Sequence, residues 1–178
     1  MRARLVELLR EKSYRRMKVT LASGRESDFY VDARQTTLNA EGSFLIGSLI
    51  HEALKPEVVA VGGLTMGADP IASAVSTISV VRGRPVHAFI VRKEPKGHGL
   101  QRWVEGRANL PDGSPVAMVE DTCTTGGSLL KAIDRAESEG LRVVQVFTVV
   151  DRDEGAVEAL AERGFTLEIL VRRAELEA

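Results

Sequence analysis

The residues best suited to do chemistry are consecutive: Glu120, Asp121, Thr122, Cys123, Thr124, Thr125, Gly126, Gly127 and Ser128. Two adjacent carboxylates alone are common in solvated turns, since loops run over the surface where charged residues are frequent. Here they are followed by four hydroxyls, and the paired glycines let the backbone wrap a ligand with its N–H groups turned inward. The stretch LLKAIDRAESEG that comes next has helical patterning. Its unpaired amides and positive dipole end would point at the same spot, which makes a phosphate site. No lysine follows the glycines, as it would in the loop of nucleoside triphosphatases, and Gly62, Gly63 and Gly67 miss the GxGxxG spacing of dinucleotide folds. A bound phosphate with two acids beside it suggests a phosphorylated sugar, whose vicinal hydroxyls donate to the carboxylates.

A second cluster, Arg92-Lys93-Glu94-Pro95-Lys96-Gly97-His98-Gly99, holds two of six lysines and one of three histidines. A short charge run is commonly a solvated turn. Glycines at 97, 99 and 106 instead describe a long flexible loop carrying cations and proton donors, and loops of that kind are more often lids or binding elements than filler. Cys123, inside the first cluster, invites a reading as nucleophile or redox switch, but a helix-start position that lowers a thiol pKa does not establish a function. His51 and His87 fall in a helix and a strand and read as structural or exposed. Trp103 reads equally as a water-excluding cover or as hinge-side packing.

Elements that could present these clusters are visible in the hydropathy pattern. Short apolar runs at 58–61, 86–91, 116–119 and 143–150 have the composition of strands buried on both faces. Helical patterns at 69–79, 128–139 and 154–163 follow three of them, and 165–171 supplies a last strand. This alternation predicts an α/β fold of right-handed β-α-β units, with ligands beyond the carboxyl ends of the strands. Amphipathic stretches near residues 5–9 and at 40–54 precede that pattern.

Length and composition agree with a single globular domain over 1–178: the chain has 178 residues, 44% of them hydrophobic and 28% charged. Twenty-four basic against 25 acidic residues leave a net charge of -1, which argues against a general grip on nucleic acid or anionic membrane and makes any anion site local. A single cysteine excludes an internal disulfide and fits a reducing, cytoplasmic setting. No metal-ligand motif, secretory signal or apolar run of membrane-spanning length is present.

The segment VAMVEDTCTTGGSLL resembles the phosphoribosyl pyrophosphate (PRPP) motif of type I phosphoribosyltransferases, and RKEPKGHG resembles the RKxxKxHG signature of the orotate phosphoribosyltransferases among them. LASGRESDFYVDAR (21–34) is similar to the segment that lies over the pyrimidine in that family, and GGLTMGADPIA (62–72) to its pyrophosphate-facing loop. Two family lysines are replaced, by Ala22 and Met66, so that backbone amides or bases such as Arg25 would have to compensate.

The resemblance implies a type I phosphoribosyltransferase fold, a mostly parallel sheet flanked by helices, with a small N-terminal hood (1–39) and a mobile catalytic loop (92–107). It implies transfer of ribose 5-phosphate from PRPP to N1 of orotate in pyrimidine biosynthesis, giving orotidine 5-monophosphate and pyrophosphate. In that reading Lys96, His98 and Asp121 are catalytic. Arg92, Lys93, Lys96 and His98 meet the pyrophosphate, Glu120 and Asp121 the ribose, and 122–128, Cys123 included, the 5-phosphate. Thr124 and Arg152 meet the orotate, and Phe29 and Tyr30 either cover the base or belong to the core. Mg2+ would be carried by PRPP and water, with no direct protein ligand. The plain alternative for Arg152 is a surface ion pair with Asp151 or Asp153. The family also implies a homodimer in which Lys93 serves the neighbouring site, with neither nucleic acid nor membrane as partner. Three other readings compete: transfer to a purine, a PRPP-sensing regulator that binds RNA or DNA, and a subunit of PRPP synthesis. The last would need roughly twice the length, by the usual domain arithmetic.

Overall fold

The structure is a computed structural model that describes residues 1–20, 26–95 and 102–178. Its first elements are α1 (Arg2–Lys12), β1 (Tyr14–Thr20), β2 (Glu26–Val31), α2 (Arg34–Thr37) and α3 (Ala40–Ala53). β3 (Ala60–Leu64), α4 (Asp69–Val81), β4 (His87–Val91) and β5 (Val104–Glu105) follow. After a 3-10 turn come β6 (Pro115–Cys123), α5 (Gly127–Ser138), β7 (Arg142–Asp151), α6 (Ala156–Ala161), β8 (Leu167–Arg172) and α7 (Arg173–Glu177).

Six strands form one sheet in the order β5-β4-β3-β6-β7-β8. Every pairing is parallel except β4 with the short edge strand β5. Side chains alternate between the faces of a strand, so β6 feeds two cores. Ala117 and Val119 pack with Leu5, Ile46, Ile71 and Val75 of α1, α3 and α4. Val116 and Met118 pack with Leu129, Ile133 and Leu160 of α5 and α6. These layers are the α/β architecture expected from the alternating runs. Among the described residues no helix is long and apolar enough to cross a membrane.

Three boundaries differ from the sequence expectation. β6 continues through Glu120, Asp121, Thr122 and Cys123, where the apolar run had placed a loop, because β7 is long enough to keep pairing it: Glu120 lies opposite Thr148, Thr122 opposite Val150 and Cys123 opposite Asp151. β3 runs to Leu64, through Gly62 and Gly63, which carry no hydrophobic signal. α6 is confined to Ala156–Ala161, shorter than its 154–163 pattern, because Gly155 at φ 104 sets its start.

Within 1–39, β1 and β2 make an antiparallel ribbon outside the main sheet, with Tyr14 opposite Val31 and Arg16 opposite Phe29. Its arginine- and lysine-rich first strand has little apolar alternation, which is why periodicity did not reveal it. Asp32 N donates to Ser13 O at 3.0 Å, and the Ser13 and Thr36 hydroxyls meet at 2.7 Å. The chain ends also meet, Arg10 Nε donating to the Glu175 carbonyl at 3.0 Å. In the 92–107 segment both described ends are tied to the sheet: Val91 pairs with Val104, and Arg92 N donates to Trp103 O at 2.8 Å. Lys96 and His98 lie outside the described residues.

Candidate active site

The carboxyl end of β6 brings Glu120 and Asp121 to the floor of a cleft of about 320 Å3. Its walls come from four parts of the chain: Asp32 and Arg34 after the ribbon, Thr65 and Gly67 after β3, Lys93 after β4, and Ser128 of α5. Glu120 is buried, and its Oε2 has no hydrogen-bond partner. Asp121 is half-buried and accepts from Thr122 N at 2.8 Å. The turn after β3 lies directly against both acids. A methyl group at Gly67 would stand 2.6 Å from Asp121 Oδ1 and 2.8 Å from Glu120 Oε1, so any other residue here would force the two carboxylates to shift.

Burial, reinforced by the neighbouring Asp121, pushes the Glu120 carboxyl up to about 8. Burial also raises Asp121. Lys93 pulls Glu120 the other way and Arg34 does the same to Asp121, but neither outweighs desolvation. Near neutral pH the pair therefore retains a proton. Arg34 is itself held by Asp32, with Nε to Oδ1 at 2.9 Å.

Behind the acids, residues 122–129 and Glu120 enclose a small concavity of about 60 Å3. Gly126, at φ 79, ends the turn and starts α5, and no side chain caps that helix. Among the described residues its leading amides thus have neither intrahelical nor side-chain partners, an arrangement suited to a phosphate. Thr124 is half-buried, while Thr125, Gly127 and Ser128 are exposed. The thiol of Cys123 is turned into the core with Leu129 and Ala132, and burial pushes it up to about 12. Burial and a raised thiol are the opposite of the exposed, low-pKa environment that a reactive cysteine needs.

Arg152 departs from the plain alternative. Its side chain is buried and pairs with Glu154 at 3.0 Å, with neither Asp151 nor Asp153 as partner. Its backbone N–H donates to Cys123 O at 3.0 Å, tying the end of β7 to the end of β6. Its guanidinium carbon lies 4.5 Å from the centroid of Phe29, a buried residue of the ribbon, whereas Tyr30 is exposed. Arg92 is half-buried and pairs with Glu105 at 3.0 Å. Met66 is exposed on the cleft wall, and residues 22 and 25 lie outside the described residues. Trp103 packs on the hinge side, 4.2 Å under Arg135. His51 is buried beside the Arg84 carbonyl, and His87 is exposed.

The structure thus gathers Lys93, Glu120, Asp121, Thr122 and Ser128 on one cleft, with Thr124 and Gly126 on the adjoining concavity. Sequence reasoning missed Asp32 and Arg34 as cleft residues, although both stand in the quoted 21–34 segment. It also missed Glu154, whose signal was only its place two residues after Arg152.

A family model for the phosphoribosyl transferase domain matches residues 35–173. The orotate phosphoribosyltransferase of Sorangium cellulosum is 51% identical over 174 residues, which is 97% of this chain and 91% of that protein. The solved structure of Mycobacterium tuberculosis orotate phosphoribosyltransferase with Fe(III) dicitrate aligns at a TM-score of 0.87 and 46% identity, covering 99% of both chains. The structure of that enzyme with PRPP aligns at 0.82 and 43% identity, again covering 99% of each. The chain belongs to the phosphoribosyltransferase family, and within it to the orotate phosphoribosyltransferases.

The acid pair makes stability depend on pH in a definite sense. A carboxyl raised by folding binds more protons folded than unfolded, so its contribution is complete below the ordinary glutamate range and is lost as pH rises through about 8. The melting temperature of the ligand-free protein should therefore fall across that window, and Glu120→Gln, measured by calorimetry at several pH values, should flatten the fall.

Proposed function

We infer that the chain transfers ribose 5-phosphate from PRPP to N1 of orotate, releasing pyrophosphate and orotidine 5-monophosphate, and that the β6 cleft is where this happens. One observation carries the placement: a buried pair of acids adjoins an uncapped, glycine-led helix start at the end of the same strand. Glu120 and Asp121 accept hydrogen bonds from the two ribose hydroxyls. Thr122, Thr124, Thr125 and Ser128, with the amides of 126–128, hold the 5-phosphate, and Cys123 contributes only backbone there.

The reaction's difficulty is charge, because pyrophosphate departs as an anion while C1 of the ribose becomes cation-like. Arg92 and Lys93, with Lys96 and His98 of the same loop, receive the pyrophosphate, and Lys96 or His98 supplies its proton or its neutralising charge. Asp121 faces the sugar side and stabilises the cationic ring. Arg152 pairs with the carboxylate of orotate, and Thr124 contacts the same base. The loop also excludes water, which would hydrolyse the sugar.

Magnesium fits this site as a passenger of PRPP. Among the described residues no group of three or more His, Cys, Asp or Glu side chains could hold a metal ion. The unpartnered Glu120 Oε2 and Asp69 Oδ1 are buried acceptors suited to water or hydroxyl donors. A magnesium ion carried by PRPP would supply neutralising charge to the departing pyrophosphate, beside Glu120 and Asp121 on the cleft floor.

With orotate, uracil, adenine and hypoxanthine offered in turn alongside PRPP, pyrophosphate release should occur with orotate alone. Release driven by a purine would contradict the assignment of the base.

The reading extends to a homodimer in which the 92–107 loop of one chain serves its neighbour's cleft. In the single chain Lys93 lines its own cleft, so the direction of service is a matter for subunit exchange. Hybrids of a Lys96→Ala chain with an Asp121→Asn chain should regain activity at one of two sites. Confirmed exchange without recovery would mean that each chain uses its own loop.

A further inference from the structure

Three arginines near the carboxyl ends of β7 and β8 form a group of which the reaction as derived uses only Arg152. Arg172 crosses from β8 to the carboxylates of Asp151 at 3.4 Å and Asp153 at 2.9 Å. Arg173 opens α7, and its guanidinium carbon lies 3.8 Å from the centroid of Phe29, closer than the 4.5 Å of Arg152. Two cations on one ring repel each other unless each is neutralised. Glu154 does this for Arg152, while Glu177 at 2.6 Å and Asp28 at 3.3 Å do it for Arg173.

We propose that Arg173 is a positioning residue for the base end of the site, acting through the Phe29 ring to fix the guanidinium of Arg152. The inference rests on the reading that Arg152 receives the carboxylate of orotate.

Phe29 stands on a two-stranded ribbon, and such a ribbon is marginal without something to pack against. Arg173 supplies a fastening from the far end of the chain, gripping the ring of Phe29 and the carboxylate of its neighbour Asp28 at once. The ring in turn presents its electron-rich face to Arg152, which draws a cation to one place over it. The route from Arg173 to Arg152 is therefore one side chain long. It leads away from the cleft floor, since Arg173 does not line the cavity that holds Glu120 and Asp121. A guanidinium held in place before the base arrives loses less freedom on binding, so the effect belongs in affinity for the base and not for PRPP.

The test is steady-state pyrophosphate release by the full chain, with orotate varied at saturating PRPP and then the reverse, for Arg173→Ala, Arg173→Lys and Arg152→Ala. Loss of one cation–π contact of this kind corresponds to roughly two- to thirtyfold in affinity. Arg173→Ala should raise the KM for orotate by about fivefold or more and leave the KM for PRPP within about twofold. Arg173→Lys, which keeps a cation for Phe29 and Asp28, should recover most of the loss. If Arg173→Ala is too unstable to assay, Arg173→Met keeps the stem over the ring without the charge and should show the same split. An unchanged orotate KM, equal rises in both KM values, or no recovery with lysine would overturn the proposal. If Arg152→Ala raises the orotate KM while Arg173→Ala does not, only the positioning role fails. If Arg152→Ala also leaves that KM unchanged, the assignment of Arg152 fails and takes the positioning role with it.

Discussion

Two carboxyls side by side in a low-dielectric strand end impose the constraint that everything else in this molecule serves. Left in water, Glu120 and Asp121 would both ionise and repel. In the structure, burial raises both, so the pair keeps a proton and remains an acceptor surface for hydroxyl donors. That state needs a strand long enough to carry polar residues past the core, and β6 is that strand because β7 continues beside it as far as Asp151. It also needs the turn after β3 to come within contact distance, which Gly67 permits.

Charge in this protein is close to balanced in sum and separated in place. The net charge of -1 is an average over a cation-bearing segment after β4, the acids at the end of β6 and the arginines after β7 and β8. Three arginines near the cleft each have a carboxylate to hold them: Asp32 for Arg34, Glu105 for Arg92 and Glu154 for Arg152. Paired cations of this sort are oriented without losing their attraction for an anionic ligand, because exchange of one carboxylate for a ligand's phosphate or carboxylate keeps the charge compensated. The arrangement suits a reaction that begins with two anionic substrates and ends with an anionic leaving group.

How much of this could be read in advance follows from sequence distance. The run from Glu120 to Ser128 is contiguous, so its acids, hydroxyls, glycines and helix start could be read together as a candidate phosphate-and-diol site without a structure. The alternating apolar runs announced the parallel sheet for the same reason. Asp32 and Arg34 were in view but mute, because only the fold brings them beside Asp121. Arg173 lies 145 residues from Asp28, and no local pattern could connect them. The ribbon escaped because its strands pair only with each other and its first strand carries basic residues in place of an apolar alternation. The extension of β6 through its acids escaped because burial by a neighbouring strand, and not hydrophobicity, keeps those residues in the sheet.

The central claim is that the acid pair is held for its ligand by the close approach of the turn at Gly67. Calorimetric titration of Gly67→Ala with PRPP and magnesium, on protein whose fold is verified by circular dichroism, addresses it most directly. The added methyl would occupy space now taken by the carboxylate oxygens of both acids, so binding should weaken by about tenfold or more, the scale of one displaced charge-assisted contact. A variant that binds PRPP as tightly as the parent would show that the acid pair does not depend on that approach, and the account would fail at its base.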